Sequence, residues 1–128
     1  MKNLLVIPLL FTGFYLYAQE KNLNKNANTE STIIDTIMKL AEVKDRAKYV
    51  KDQTKGKRHL QYTIWERPSK EMPYYWVKIV EDNGILYYTH FNFYVFIYLN
   101  TMDIKYYDTI KDEVISLKKW RSNKKNKN

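Results

Sequence analysis

The stretch ILYYTHFNFYVFIYL, residues 85–99, decides how this chain folds. Its side chains are mostly aromatic or β-branched, the types that suit a pleated, half-buried surface. Strict alternation places Ile85, Tyr87, Thr89, Phe91, Phe93, Val95 and Ile97 on one face of a strand. Leu86, Tyr88, His90, Asn92, Tyr94, Phe96 and Tyr98 then occupy the other. The first face is apolar enough to lie under a helix; the second is aromatic yet partly polar, which suits a half-wet surface. Fifteen residues exceed the usual strand of about five or six, so a bend or bulge is predicted within this one.

Working outward, Glu81-Asp82-Asn83-Gly84 reads as a tight turn, because Asn-Gly takes up positive φ readily. Residues 74–81 form the strand before it. Pro68 and Pro73 bracket the preceding loop. Upstream of that loop, Leu60, Tyr62 and Ile64 alternate with Gln61, Thr63 and Trp65 in a first strand. Downstream, residues 100–103 read as a turn and residues 104–109 as a fourth strand. A short addition at residues 114–116 precedes a terminal turn holding Leu117 and Trp120. Ahead of all the strands, Ile33, Ile34, Ile37, Met38, Leu40, Ala41 and Ala47 recur at helical spacing among lysines and acids. Thr32 followed by Asp35 resembles a helix start, and the helix is expected to end before Gly56. The fold class expected is therefore α+β: one N-terminal helix packed on an antiparallel meander sheet of about four strands.

The first eighteen residues have the form of an export signal. Lys2 is followed by an apolar run from Leu4 to Tyr17, and Ala18 offers a small residue for cleavage. A spanning helix needs about twenty apolar residues, more than this run supplies. Pro8 and Gly13 inside it weaken a rigid helix further. The expectation is a signal peptide at 1–18, cleaved near Ala18, and a periplasmic or secreted protein; the alternative is an uncleaved N-terminal anchor. Residues 19–30, with Asn22, Asn24, Asn26 and Asn28, read as a flexible leader. Residues 31–121 form a single α+β domain, and 122–128 a basic disordered tail. There is no cysteine, so neither a disulfide nor a lipid at a cysteine can help, and stability must come from packing and strand pairing. The formal charge is +8; removing the signal takes away one lysine and no acid, which leaves +7. Lys118, Lys119, Arg121, Lys124, Lys125 and Lys127 crowd the last eleven residues. Such a block is either a solvated tail or a peripheral contact to an anionic surface.

Phe93-Tyr94-Val95 followed by Asn100-Thr101-Met102-Asp103-Ile104 is similar to the strand-turn-strand ending of PepSY repeats, in which a Thr-Gly-acid-aliphatic turn is common. Here Met102 stands in the glycine position. Together with the order of helix then meander over residues 31–108, the chain resembles the cystatin-like group of small α+β folds, which includes PepSY-type exported domains. The resemblance implies a fold and makes binding or inhibition an expectation. The Gln-x-Val-x-Gly hairpin by which cystatins block cysteine proteases is absent from this sequence.

Residues that carry chemistry are sparse. Without cysteine, and with only His59 and His90 as imidazoles, no nucleophile–base arrangement or Gly-x-Ser-x-Gly turn is legible. His59 follows Lys55, Lys57 and Arg58, which places it at a charged strand edge. The two histidines have no further ligand at metal-binding spacing, so no metal or other cofactor is expected. Glu66, Glu71, Glu81 and Asp82 lie in or beside turns, where solvated carboxylates are ordinary. The expectation is a non-enzymatic protein. Its candidate site is the open sheet face, where Trp65, Trp76, Tyr88, Tyr94 and Tyr107 fall among Lys78, His90 and Asn92. Aromatic planes flanked by donors and acceptors suit a protein, peptide or glycan partner in the envelope or outside the cell. The competing expectation is that these rings pack against the terminal segment or a second subunit, as in a homodimer. Nucleic acid is disfavoured by export and by cations concentrated in the tail. The function expected is an exported binding or inhibitor-like module using this aromatic face. The alternative is a structural, envelope-associated protein held to anionic surfaces by its basic tail.

Overall fold

The computed structural model describes residues 25–126, so the expected signal and the first part of the expected leader lie outside the described residues. The chain divides after Ile37 into two compact units. In the first, residues 25–37 belong to a helix, α1, covering residues 25–38. Ile33 and Ile37, one turn apart, are both buried. The hydroxyls of Thr29, Thr32 and Thr36 each donate to the carbonyl four residues back, at 2.9, 2.9 and 2.7 Å. Thr32 is thus mid-helix rather than a helix start, and residues 25–30 of the expected flexible leader are helical.

The single helix expected from near Ser31 is also interrupted. Leu40 is extended (φ −61°, ψ 133°), and its carbonyl receives the Val43 and Lys44 amides at 3.1 and 3.0 Å, opening a second helix, α2, Ala41–Gln53. Threonine back-bonding and a run of β-branched residues both weaken helix continuity just before this break. The interruption resets the helical phase, so Val43 and Val50 are buried in α2 while Met38 and Ala41 are exposed. A third helix, α3, Leu117–Lys125, replaces the expected terminal turn and runs into the tail expected to be disordered. Ser116 caps it, its hydroxyl oxygen accepting the Lys119 amide at 3.1 Å. The architecture is α+β with three helices, not one N-terminal helix.

The sheet is antiparallel and open, with five strands in chain order: β1 Leu60–Glu66, β2 Tyr75–Asp82, β3 Tyr87–Tyr98, β4 Thr101–Asp108 and β5 Glu113–Ser116. The expected short addition is the fifth strand. The turn after β3 comes earlier than expected, at Leu99–Asn100, so Thr101–Asp103 already belong to β4. The turn before β3 keeps Asn83 and Gly84 but lies two residues later than expected, at 83–86, because β2 runs through Asp82 and β3 begins at Tyr87: Asp82 Oδ1 accepts the Gly84 amide at 2.7 Å and Asn83 Oδ1 accepts the Leu86 amide at 2.7 Å, with Gly84 at φ 86°.

On β2, Tyr75, Val77, Ile79 and Glu81 point to the inner face. Their β3 partners Val95, Phe93 and Phe91 are buried with them. Trp120 of α3 lies over this surface, stacked on Tyr106 at 4.4 Å and edge-on to Phe91 and Phe93 at 5.7 and 5.8 Å. Arg121 pairs with Glu42 of α2, which ties the two helices on that side. The inner face is therefore roofed by aromatic packing from the C-terminal helix, an element absent from the sequence reading.

The bulge predicted in the long strand is present. Ile79 pairs with Phe91 but Val80 pairs with Thr89, so His90 is the extra residue. Ahead of it the faces exchange: Tyr88 pairs with Glu81 of the inner row, and Tyr87 with Asp82 of the outer row. Ile85 and Tyr87, expected under a helix, are instead exposed.

Phe93→Ala should lower unfolding stability by about 3–5 kcal/mol, because the cavity lies beneath Trp120 with little room to collapse. Leu99, fully exposed at φ 53°, holds a left-handed turn position that suits asparagine better. Leu99→Asn should therefore raise stability by about 0.5–1 kcal/mol. Chemical denaturation measures both.

Candidate binding face and the buried carboxylate

The outer face is built by four strands, β1 to β4, and two irregularities. In β1 the register slips between Ile64 and Glu66, leaving Trp65 as the bulged residue and placing Glu66 opposite Trp76. The ammonium of Lys78 lies 3.6 Å from the Trp65 ring centre and 4.6 Å from that of Trp76, a cation held by two indoles. Burial pushes the Lys78 ammonium below its usual range, while the charge of Glu66 acts in the opposite direction. Trp65 stays 55% exposed, so this arrangement opens to solvent at one edge.

Next to it the rings tile. Tyr94 stacks on Tyr74 at 4.1 Å and on Tyr107 at 4.7 Å. Trp76 meets Tyr94 and Tyr107 edge-on at 5.7 and 5.6 Å. Apart from the closer Tyr74–Tyr94 stack, these separations fall in the favourable range for offset and T-shaped pairs. The polar handles are satisfied within the face: Trp76 Nε1–H donates to Asn92 Oδ1 at 3.0 Å, and the Tyr107 hydroxyl donates to Asp112 Oδ1 at 2.8 Å. Burial, reinforced by the Tyr74 hydroxyl, drives the Tyr94 phenol well above the ordinary tyrosine range. A bond to Asp112 raises Tyr107 as well.

Of the eight residues expected at the site, the fold brings together Trp65, Trp76, Lys78, Asn92, Tyr94 and Tyr107. It removes Tyr88 and His90. The bulge transfers Tyr88 to the row of Glu81, and His90 turns to that carboxylate, its Nε2 lying 2.8 Å from Glu81 Oε2. Arg58 Nη1 donates to the other oxygen of Glu81 at 3.1 Å. Glu81 is thus a buried carboxylate held by two donors, not the solvated turn acid expected, and the His90 bond holds it below the usual carboxylate range. It anchors the bulge to the inner face and to the segment leading into β1. Tyr74 was missed as a site residue, although its position two before Trp76 carries the signal for the same face. Phe96, which neighbours Tyr74 at 5.2 Å, extends the tiling beneath the ammonium of Lys105.

Two further features lie elsewhere. A cleft of about 400 Å³ between α2 and β3 is lined by Glu42, Asp45, Arg46, Tyr49, Phe91 and Lys124. Three basic residues of the C-terminal segment have partners within the fold: Lys119 pairs with Glu113 at 3.5 Å, Arg121 with Glu42, and Lys124 sits 4.1 Å above the Trp120 ring. Among the described residues, no group of three His, Cys, Asp or Glu side chains is arranged to hold a metal ion, and no helix is long and apolar enough to cross a membrane. No family model matches the chain, and neither a curated protein nor a solved structure matches it.

Because its folded pKa is depressed, Glu81 contributes its full stabilisation above about pH 4.5 and loses it as pH falls through the folded value. Glu81→Gln should cost about 1–3 kcal/mol at neutral pH by leaving Arg58 and His90 poorly paired. The gap to the parent should narrow steadily below pH 4.5 in paired urea titrations. In an ultraviolet absorbance titration, Tyr94→Phe should remove one phenol from the late, strongly alkaline phase and leave the ordinary phase unchanged.

Proposed function

We propose that this chain is an exported, non-enzymatic binding or inhibitor-like module that engages its partner through the outer sheet face. One observation carries the reading: six of the residues expected to form a site converge there, with an indole-held ammonium at the open edge. Ring faces and a cation at their edge suit a peptide or glycan that lays flat apolar surface on the indoles and an acceptor on Lys78. The tyrosines behind them act as a rigid platform, since their hydroxyls and stacking leave little freedom to lose on binding. The export signal supports a periplasmic or extracellular setting. A helix followed by an up-and-down antiparallel sheet supports kinship with the cystatin-like folds, with α1, β5 and α3 as additions to that pattern. The alternative, an envelope-associated structural protein held by the basic tail, draws less support, because Lys119, Arg121 and Lys124 are engaged within the fold.

Screening on an array of envelope glycans and extended peptides tests this reading. Any specific binder should lose at least tenfold in affinity with Trp65→Ala or Lys78→Ala, which is about 1.4 kcal/mol or more. Tyr49→Ala, an exposed aromatic on α2 and off the outer sheet face, should leave affinity unchanged. Retention of full affinity by both indole-edge variants would show that the face is not the binding surface.

A further inference from the structure

Asp45, Arg46 and Tyr49 follow Glu42 by three, four and seven positions, so the four share one face of α2. They line the cleft of about 400 Å³ whose other walls are Phe91 of β3 and Lys124 of α3. Glu42 is already committed within the fold. Both its oxygens receive the Arg121 guanidinium, and that bond holds the carboxyl below its usual range. The other charges are not committed in this way. Among the described residues, neither Asp45 nor the Arg46 guanidinium has an ion pair or hydrogen bond; the guanidinium lies over the Tyr49 ring at 5.4 Å. The Lys124 ammonium enters from α3, 5.5 Å from the Phe91 ring centre and 4.1 Å from that of Trp120. Burial lowers the Lys124 pKa, the Glu42 charge raises it, and the Arg46 charge lowers it again. Two cations from different helices therefore meet at one cleft, near enough to oppose each other, beside two rings and an unpaired carboxylate.

We propose that this cleft binds a free amino acid with a large apolar side chain. The ligand carboxylate bridges Arg46 and Lys124, its ammonium meets Asp45, and its side chain lies against Phe91 and Tyr49. Each charge of the zwitterion then has an opposite charge in the cleft, in the charge-assisted contacts that are strongest. The carboxylate also relieves the repulsion between the two cations, which acts only in the free protein. A bare anion would leave Asp45 and the rings unused, and a neutral apolar molecule would leave both cations unmatched. The volume is near the lower end of the range of about 300–1,000 Å³ for small-molecule pockets, which suits a ligand of amino-acid size rather than a glycan chain. This site is separate from the outer sheet face: Phe91 belongs to the inner face, and neither Trp65 nor Lys78 lines the cleft.

Titration of the purified chain with L-phenylalanine, followed by heteronuclear NMR, should give saturable shifts centred on α2, Phe91 and the end of α3. L-Alanine should bind at least tenfold more weakly. Arg46→Gln and Lys124→Gln should each weaken phenylalanine binding at least tenfold. Asp45→Asn should do the same, yet leave the already weaker binding of N-acetyl-phenylalanine, which has no ammonium, unchanged. All three side chains are exposed, so the variants should keep the parent's thermal midpoint. Trp65→Ala should leave phenylalanine binding intact, which separates this test from failure of the outer-face reading. Absence of saturable shifts up to the solubility limit of phenylalanine would overturn the proposal. Acetate binding as tightly as phenylalanine would also overturn it, by reducing the cleft to a bare anion site. So would N-acetyl-phenylalanine binding as tightly as phenylalanine, since Asp45 would then hold no ammonium.

Discussion

One extra residue in β3 organises this molecule. His90 has no partner on β2, and the strand must carry it while keeping pairs on both sides of it. The consequence is a change of face: downstream, Phe91, Phe93 and Val95 are buried, the two phenylalanines against Trp120, while upstream the same parity leads outward to solvent. The bulge is held by electrostatics. Glu81 receives the His90 imidazole on one oxygen and the Arg58 guanidinium on the other, so a carboxylate that would be costly to bury alone is satisfied at both ends. Removing either donor would leave a charge in a poorly hydrated site, which is why a local irregularity has a global claim on stability.

With the inner face closed in this way, the outer face is free to be specialised. Its rings do not form a greasy patch awaiting cover in the ordinary sense. Tyr94 and Asn92 are buried by their own neighbours, and the Trp76 indole and the Tyr107 hydroxyl have their partners within the face. A preformed platform of this kind loses little entropy when a ligand arrives. What remains accessible is its border, where the β1 bulge lifts Trp65 over Lys78. The two bulges therefore have complementary effects: one withdraws Tyr88 and His90 from the outer face, and the other brings the Glu66 carboxylate onto it beside the Trp65 indole.

Much of this was legible in the residues, and the failures are instructive. Asn83 and Gly84 do make a turn, because the asparagine oxygen and the glycine φ are local properties, although it spans 83–86 rather than 81–84, since strand pairing extends β2 through Asp82. Six of eight site residues were placed on a common face by simple alternation. Tyr88 and His90 were misplaced because alternation assumes an unbroken ladder. A bulge was expected from strand length, yet its position depends on the match between β3 and β2, which is long-range. The helix was misread for a similar reason. Continuous apolar spacing through Leu40 concealed a break that shows only in the backbone, at ψ 133°. Trp120 was assigned to a terminal turn, because a nine-residue segment with five lysines and arginines looks like tail until its one ring is seen stacked on Tyr106.

The amino-acid pattern alone determined the class of fold, the approximate strand spans, the tight turn before β3 and the aromatic character of one sheet face. These follow from side-chain type, period and turn chemistry, which act over a few residues. Tertiary structure alone decided where the faces exchange, which acid is buried and what roofs the inner face. Each of those depends on register between segments far apart in the chain. A shift of one residue there changes every neighbour while leaving the local pattern unaltered.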